Sequence, residues 1–162
     1  MMTLPGSITE ITADDSEAVR AVINASNYRA YRSVIPAEHF REEVLPVDAM
    51  PDLFERMTFY GYWHEGRLAG VAALMEGPEN TARMRWVYVH PEFQRMGVGT
   101  ALVGHLEERA KRTGFAEMRL RTAEGAHWAI SFYRRLGYRV TARTPRPWGA
   151  DIEMRKSLRP AE

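Results

Sequence analysis

The sequence predicts an α/β (α+β) fold with a mixed, largely antiparallel central sheet of about six to seven strands and helices on both faces. Two observations support this class. Segments of alternating, β-branched or aromatic residues, which are typical of strands, interchange with segments whose apolar residues recur at helical spacing. Their order is strand, helices, three strands, helix, strand, helix and two strands, which indicates a mixed sheet. At 162 residues the chain is predicted to form a single domain, 1–162, with its own hydrophobic core.

The N-terminal half is predicted to contain a short strand, three helical segments and a β-hairpin. Asp14 or Asp15 can cap the first helix, which would run towards Tyr31. Pro36 and Pro51 can open the next two helical segments. The apolar residues of the three segments are Ala18, Val19, Val22 and Ile23; Phe40, Val44 and Leu45; and Leu53, Phe54 and Met57. The strands are Ser7–Thr12 and then Thr58–His64 and Arg67–Glu76, which flank a Glu65–Gly66 turn.

The C-terminal half is predicted to alternate strands with two longer helices. Gly77–Asn80 is a turn that leads into the first of these strands. The strands are Arg83–Val89, Ala116–Arg121, Tyr138–Thr144 and Asp151–Ser157. The helices are Val98–Thr113 and Ala126–Leu136, and each is followed by a glycine stop, Gly114 or Gly137. Trp128, Phe132 and Leu136 are predicted to share one face of the second helix.

The segment Gln94–Gly99 is predicted to bind a phosphate group. It joins a strand directly to a helix, and the first turn of a helix has backbone N–H groups without partners and the positive end of the peptide dipoles. Gly97 and Gly99 have no side chains that would hold a bulky diphosphate away from those donors. The third glycine of the Rossmann fingerprint and the Gly-Lys-Ser/Thr of the P-loop are both missing.

Composition excludes several classes of site and partner. The chain has no cysteine, which rules out disulfides, thiolate metal sites and a cysteine nucleophile. No apolar run approaches a membrane span and the start does not resemble a signal peptide, so a cytoplasmic protein without a membrane partner is predicted. The net charge of +1 hides an asymmetry, since residues 1–82 carry 6 basic and 13 acidic side chains, and residues 83–162 carry 16 and 8. A basic half suits a polyanionic ligand, although two solvated faces would look the same, and no nucleic-acid motif accompanies it.

Two segments carry a joint pattern. Val89–Gly99 ends a strand with Val-x-Pro and continues as Gln/Arg-x-x-Gly-x-Gly. Ala129–Tyr138 reads Ala-Ile-Ser-Phe-Tyr-Arg-Arg-Leu-Gly-Tyr, and one strand separates the two segments. Together they resemble the acetyl-CoA motif and the C-terminal helix of the GNAT superfamily of N-acetyltransferases, over roughly residues 60–157. The resemblance implies a GNAT-like sheet that splays apart where acetyl-CoA binds.

The resemblance also implies which residues contact the acyl donor. Backbone N–H groups would bind the coenzyme A pyrophosphate at Gln94, Arg95, Met96, Gly97, Val98, Gly99 and Thr100, where Thr100 can add its hydroxyl. The backbone near Tyr88 and Val89 would pair with the pantetheine arm like an added strand. His127 stands where the family often has an asparagine that contacts the cofactor, and its imidazole can also donate a hydrogen bond. An ordinary tight turn into a helix is the alternative for the glycines.

Tyr133 is the predicted catalytic residue. Acyl transfer from a thioester to an amine expels a thiolate, to which a positioned phenol can supply a proton, and many family members have a tyrosine in this role. The alternative is an aromatic anchor beside Phe132 or a cofactor contact. No metal site is predicted, because His127 has no second ligand at suitable spacing on its helix.

The general base and the amine acceptor are left open by the sequence. The strand before the glycine turn has Arg83 and Arg85 and no carboxylate. The remaining candidates for the base, each more typical of a surface residue, are Glu76, Glu79, Glu124 and His90. Aromatic residues that could line an acceptor site, or simply belong to the core, are Tyr28, Tyr31, Phe40, Trp63 and Trp148. The acidic first half suits an amine that is cationic before reaction, such as a polyamine, an amino sugar or a peptide N-terminus.

The predicted function is acetyl transfer from acetyl-CoA to a primary amine of a small molecule or peptide. Because the chain has no cysteine, the amine would attack the bound thioester directly in a ternary complex. The alternative is a non-catalytic acyl-CoA-binding sensor or partner module, and a third hypothesis is a nucleotide-binding domain of another fold. The acyl chain length stays open, as does the oligomeric state, for which a homodimer is one option.

Overall fold

Seven strands form one mixed sheet in the computed structural model, which describes residues 4–32, 35, 45–147 and 149–160. The strands are β1 (Ser7–Glu10), β2 (Thr58–His64), β3 (Arg67–Glu76), β4 (Thr81–Val89), β5 (Glu117–Ala123), β6 (Arg139–Arg146) and β7 (Gly149–Ser157). Their order across the sheet is β1-β2-β3-β4-β5-β7-β6. Neighbours are antiparallel except β4 and β5, which are parallel. The predicted mixed, largely antiparallel sheet is confirmed.

Helices cover both faces of this sheet. They are α1 (Ser16–Tyr31), α2 (Met50–Arg56), α3 (Val98–Thr113) and α4 (His127–Arg135). Alternate residues of a strand point to opposite faces, so on β3 Val71 packs with α1 and α2, whereas Ala72 packs with α3 and α4. Both residues are fully buried. Within the described residues, no helix has the length and apolar character needed to cross a membrane.

Local sequence signals predicted several elements to the residue. The β2–β3 hairpin has the predicted bounds, and Glu65 and Gly66 have φ values of 49° and 75°, as a two-residue type I′ turn requires. The helix α3 also has the predicted bounds, and Gly114 ends it at a φ of 98°. Strand ends differ by one or two residues: pairing extends β4 and β7 at their starts and β5 and β6 at their ends, and β5 and β6 begin one residue later than predicted. The first strand ends at Glu10 rather than Thr12, because the 3₁₀ turn Ala13–Asp15 follows it.

Two predictions about the helices need correction, and a third concerns residues outside the described part of the chain. Neither Asp14 nor Asp15 caps α1 through its side chain, because Ala13–Asp15 forms a 3₁₀ turn that leads directly into the helix. The predicted apolar face of α4 is only partly buried: Trp128 is 46% exposed, and the buried residue of the helix is Tyr133. The helical segment predicted to start at Pro36 lies outside the described residues, apart from the buried Leu45.

Strands β4 and β5 splay apart after a short stretch of pairing. They pair only from Thr81–Arg83 to Glu117–Arg119. Beyond Arg83, β4 has no partner strand on that side among the described residues. A bulge at Trp86, which has a φ of 55°, shifts the register of β4 against β3. We call the opening between residues 84–89 of β4 and 120–123 of β5 the β4–β5 gap; it matches the splay predicted from the family resemblance.

A buried ionic network joins α3 to the other half of the sheet. Glu107 of α3 is only 9% exposed. The Tyr138 hydroxyl donates to Glu107 Oε2 at 2.8 Å, and Lys156 Nζ of β7 donates to Glu107 Oε1 at 3.0 Å. Burial raises the pKa of Tyr138, and the charge of Glu107 raises it further, so the phenol stays a donor. One carboxylate therefore links a helix, a strand and the turn after α4.

We expect Glu107→Ala to lower the free energy of unfolding by about 2 kcal/mol, because it leaves the Tyr138 hydroxyl and Lys156 without their partner. For a chain of this size that corresponds to a loss of roughly 4–8 °C in Tm, measured by circular dichroism. The matched control is Glu108→Ala on the same helix, which removes an exposed carboxylate paired with Lys111 at 3.5 Å. It should cost less than about 0.5 kcal/mol. Equal losses in the two variants would contradict the structural role of Glu107.

Candidate active site

The turn into α3 presents a run of backbone donors without partners. No backbone N–H from Gln94 to Thr100 donates to a protein acceptor among the described residues, and the first bond of the helix runs from Ala101 N–H to Gly97 C=O at 3.0 Å. No side chain caps the helix. Arg95 and Gly97 have φ values of 65° and 80°, and such left-handed residues turn successive N–H groups towards a common point. This geometry suits an anion such as a diphosphate.

Three hydrogen bonds and a buried ring hold this turn in place. A 3₁₀ turn, Pro91–Phe93, precedes it, and the Phe93 ring is buried. Gln94 Nε2 donates to the Val89 carbonyl at 3.2 Å, and the Leu4 N–H donates to the Met96 carbonyl at 2.9 Å. Within the 3₁₀ turn, the Phe93 N–H donates to the His90 carbonyl at 2.9 Å. The donors are therefore pre-organised, which reduces the entropy lost when a ligand binds.

Gly99 of α3 lies next to both α4 and β4. A Cβ atom at this position would lie 3.2 Å from Phe132 Cζ and 3.6 Å from Val89 Cγ2. Glycine therefore lets the first turn of α3 approach the ring next to Tyr133. The anion-binding turn and the predicted catalytic helix are in direct contact.

Tyr133 lies close enough to Tyr31 and Tyr88, two phenols at the β4–β5 gap, for them to affect its pKa. The residue is 8% exposed, and its ring packs edge-on against Phe132 at 5.1 Å and Tyr138 at 5.7 Å between centroids. Its hydroxyl makes no hydrogen bond with any described residue. Burial raises the pKa of Tyr133, and the neighbouring phenols of Tyr31 and Tyr88 raise it further. The side chain is therefore a protonated phenol at neutral pH, free to donate to a bound group.

Residues of α1 and β4 form a further wall of the gap. Tyr31 closes α1 and its ring reaches Trp128 of α4, with 5.6 Å between centroids. Burial raises the pKa of both Tyr31 and Tyr88. A cavity of about 250 Å³ opens here. The residues that line it are Asn27, Tyr31, Ile35, Tyr88, Arg121, Thr122, Ala123 and Asp151.

Sequence reasoning missed several of these lining residues. Asn27, Arg121, Thr122 and Asp151 carry no motif, and each reads as an ordinary polar position on its helix or strand. One signal was available: Arg121 and Thr122 stand at the point where the predicted strand Ala116–Arg121 ends. Of the aromatic residues predicted to line an acceptor site, the structure brings Tyr31 to the cavity.

The other aromatic candidates are placed differently. Trp63 lies at the β1–β2 edge, where its Nε1 donates to Thr9 Oγ1 at 3.0 Å, so the prediction that it lines the site is not supported by its position. Tyr28 is 40% exposed, with the Arg32 guanidinium 5.2 Å from its ring centroid. Phe40 and Trp148 lie outside the described residues.

The predicted donor-binding side chains surround the gap and the turn. Tyr88 and Val89 are the last two residues of β4, where β5 no longer pairs with this strand. His127 is the exposed first residue of α4, and its imidazole has no hydrogen-bond partner among the described residues. Arg95, Met96 and Thr100 are exposed around the turn, whereas Val98 is buried and anchors it. The turn thus meets both β4 and α4 at Gly99, which adjoins Val89 and Phe132.

None of the four candidate bases is an unpaired group at the gap. Glu76 and Glu79 lie near the start of β4, where Glu76 pairs with Ala82, at the end opposite Val89. Glu124 follows the cavity residue Ala123, but its carboxylate is held by Arg143, whose charge and hydrogen bond lower the pKa of Glu124.

His90 Nδ1 accepts a hydrogen bond from the Glu92 N–H at 3.2 Å, as part of the turn after β4. Among the described residues, no group of three or more His, Asp or Glu side chains lies close enough together to hold a metal ion.

Comparison with known proteins gives a consistent result. A family model described as the acetyltransferase (GNAT) family matches residues 24–138. The uncharacterized N-acetyltransferase YvbK of Bacillus subtilis (strain 168) is 28% identical over 95 residues, which are 59% of this chain and 61% of that protein. The chain therefore spans less than two thirds of that relative.

Solved structures share the whole fold. The paiA N-acetyltransferase of Thermoplasma acidophilum, in complex with coenzyme A, superimposes with a TM-score of 0.76 at 21% identity, over 95% of this chain and 99% of that one. The yncA protein of Salmonella typhimurium, with its cofactor acetyl-CoA, has a TM-score of 0.77 at 20% identity, over 98% and 96%. At these identities the similarity concerns the fold.

Proposed function

Because the chain belongs to the acetyltransferase (GNAT) family, we propose that it transfers an acetyl group from acetyl-CoA to a primary amine of a small molecule or peptide. The observation that carries the proposal is the run of unpartnered N–H groups from Gln94 to Thr100 beside the free edge of β4, which leads to the Tyr133 hydroxyl. An anion site, an edge for an extended arm and a proton donor are the three features that an acyl-CoA-dependent transfer requires.

The residues present fit the acyl-donor substrate. The N–H groups of the turn would hold the pyrophosphate, since the glycines leave the donors uncovered and the dipole of α3 favours negative charge. The unpaired backbone of Tyr88 and Val89 would pair with the pantetheine arm. His127 and Thr100, exposed at the starts of α4 and α3, would add side-chain contacts.

Tyr133 is proposed to act as the general acid. Acetyl-CoA, when bound, supplies a thioester whose carbonyl carbon a neutral amine can attack. As the C–N bond forms and the C–S bond breaks, Tyr133 Oη donates its proton to the departing sulfur and then recovers one from the amine nitrogen through water. The same burial that raises the pKa of the phenol would also raise that of a thiol formed beside it, which keeps the transfer feasible.

The amine is proposed to lose its first proton to water rather than to a fixed carboxylate. Glu124 and Asp151, the acidic residues next to the gap, are both paired with arginines; Asp151 accepts from Arg146 at 2.8 Å. A carboxylate in an ion pair is a weak base. Direct attack in a ternary complex also accords with the absence of cysteine. A cytoplasmic location stays a prediction.

The test is a panel of amino acids, short peptides, polyamines and amino sugars incubated with acetyl-CoA, with thiol release followed in time. We expect at least one class to be acetylated with a 1:1 ratio of thiol to N-acetyl product. Calorimetric titration with coenzyme A on the same preparation supplies the control for a folded donor site. Tight coenzyme A binding without turnover of any amine would favour the acyl-CoA sensor, and preference for ATP or NAD would contradict both.

A further inference from the structure

Arginine side chains form a row across the sheet beside α1. Arg83 of β4 is the register partner of Arg119 on β5, which is the partner of Arg155 on β7. These positions alternate with Met118 and Met154, which are buried under α3 and α4, so the arginines lie on the opposite face. Arg85 and Arg121 follow two residues further along β4 and β5, on the same face. Like charges on neighbouring strands are unfavourable unless a counter-charge is present.

Protein carboxylates neutralise only the inner part of this row. Glu117 contacts Arg119 at 2.9 Å and Arg155 at 3.5 Å, and Glu153 contacts Arg155 at 2.8 Å. Glu153 is the register partner of Arg121 and its charge partly offsets the lowering of the Arg83 pKa, but no described carboxylate lies within 4.0 Å of the guanidinium groups of Arg83, Arg85 and Arg121. Two of these three arginines, Arg85 and Arg121, lie next to the β4–β5 gap, and Arg83 belongs to the last pair before it.

Two of these arginines, Arg83 and Arg85, are in an unfavourable electrostatic environment. Burial and the charge of Arg121 lower the pKa of Arg83. Burial lowers the pKa of Arg85 as well, followed by the charges of Arg83, Arg56 and Arg121. An arginine stays protonated despite such shifts, so the cost persists until an anion arrives. A bidentate guanidinium fork is well suited to a carboxylate or a phosphate.

A second, independent feature lies beside these arginines. The indole Nε1 of Trp86 is buried and has no hydrogen-bond partner within the part of the chain that the structure describes, although buried donors are rarely left unpaired. The Arg85 guanidinium lies 5.5 Å from the centroid of the Trp86 ring. Tyr88 is close enough to Arg85 for each to affect the pKa of the other. The Arg85 guanidinium and the Trp86 indole N–H, both without hydrogen-bond partners among the described residues, therefore lie close together on β4.

One of these arginines, Arg121, also lines the cavity at the gap. Tyr31 and Tyr88 line it as well. Its volume of about 250 Å³ equals that of about eight water molecules, which suits part of a small molecule. Arg85 lies on β4 just past the last pair with β5, on the other side of the opening from Arg121.

We propose that the amine acceptor carries an anionic group, a carboxylate or a phosphate, and that Arg85 and Arg121 bind this group at the mouth of the β4–β5 gap. The inference rests on the acetyltransferase function proposed above and specifies its acceptor class. The acidic balance of residues 1–82 suited a purely cationic amine. Next to the gap, however, Glu124 and Asp151 are paired with arginines, and the unpaired charges of the described residues are positive. Arg83, further from the opening, would add long-range attraction.

The test compares amines that differ only in the anionic group: L-alanine with L-alaninamide, L-leucine with L-leucinamide, and O-phosphoethanolamine with ethanolamine. Values of kcat/KM are corrected for the fraction of neutral amine. We expect the anionic member of at least one pair to react at least about 10-fold faster. The carboxylate and phosphate pairs separate the two sources of charge.

Variants then assign the preference to residues. Arg121→Gln and Arg85→Gln should each lower kcat/KM for the anionic amine by about 10- to 100-fold, mainly through KM, and leave the neutral amine within about 3-fold. Arg155→Gln removes an equal charge from the same face at a residue that carboxylates already neutralise, and should change neither amine by more than about 3-fold. An equal loss in Arg155→Gln, or equal or faster reaction of the neutral amines, would overturn the proposal.

Failure of the enzymatic function is distinguishable from failure of this inference. If no amine turns over, calorimetry of the coenzyme A-loaded protein with N-acetyl-L-alanine and with its amide still reports on the anion site. If N-acetyl-L-alanine binds and its amide does not, and if Arg121→Gln weakens binding of the acid by about 10-fold, the anion site is supported even though no amine turns over. No preference for the acid would overturn the anion site.

Discussion

Replacing Tyr133 by phenylalanine is expected to lower kcat for acetyl transfer by about 100-fold, because general acid catalysis contributes roughly 10²–10⁴-fold. The dissociation constant for coenzyme A should stay within about two-fold, since the ring and its contacts with Phe132 and Tyr138 are retained. Thermal stability should also be unchanged, because the hydroxyl makes no hydrogen bond with a described residue. Steady-state kinetics, calorimetry and thermal unfolding of the same preparation check these three expectations.

Tyr88→Phe is the matched control for this substitution. Tyr88 is another buried phenol at the gap whose pKa burial raises, and it lies near Tyr133. If Tyr133 is the acid, Tyr88→Phe should change kcat by less than about three-fold. A large loss in Tyr88→Phe together with a small one in Tyr133→Phe would transfer the role to Tyr88. Small losses in both would mean that water protonates the departing sulfur.

The pH dependence provides a second measurement for Tyr133. Burial and the neighbouring phenols raise its pKa above the ordinary tyrosine value, so the proton is retained as the pH rises. We therefore expect kcat/KM to increase with pH as the amine loses its proton and then to level off, with no descending limb below about pH 10. A descending limb near pH 8 would indicate an acid other than this phenol.

Short-range signals account for the parts of the structure that the sequence predicted correctly. The Glu65–Gly66 turn sets the register of its hairpin. Gly97 and Gly114 stand at the two ends of α3, where the backbone has a positive φ that glycine adopts readily. The family pattern singled out Tyr133, which is the buried residue of α4, whereas helical periodicity had placed Trp128 on the apolar face. In the structure Trp128 instead reaches across to Tyr31.

Long-range register accounts for what the sequence could not predict. The arginine row exists because Arg83, Arg119 and Arg155 are register partners, and a slip of one residue would move one of them to the face of Met118. Alternation along a strand contains no information on which strand lies beside it. The cavity has the same origin, since Tyr31, Tyr88 and Arg121 come from three elements that meet only where β4 and β5 separate.

Replacing Gly97 by valine is expected to weaken coenzyme A binding by at least about 100-fold. Gly97 has a φ of 80°, where a β-branched residue is strained by about 1–3 kcal/mol, and relief of that strain would rotate the N–H groups that follow it. Hydrogen bonds to a charged group are worth about 1.5–3 kcal/mol each, so the loss of two corresponds to about 100-fold or more in affinity. Isothermal titration with coenzyme A measures this loss directly.

Gly114→Val is the control that separates the anion site from general destabilisation. Gly114 ends the same helix at a φ of 98°, and a Cβ atom there would meet nothing within 4 Å. The two variants should therefore lose similar stability, of about 1–3 kcal/mol, whereas only Gly97→Val should lose coenzyme A. If Gly114→Val weakened binding as much, the loss would come from the stability of α3 as a whole. If Gly97→Val bound coenzyme A normally, the pyrophosphate would have to bind somewhere other than the turn into α3.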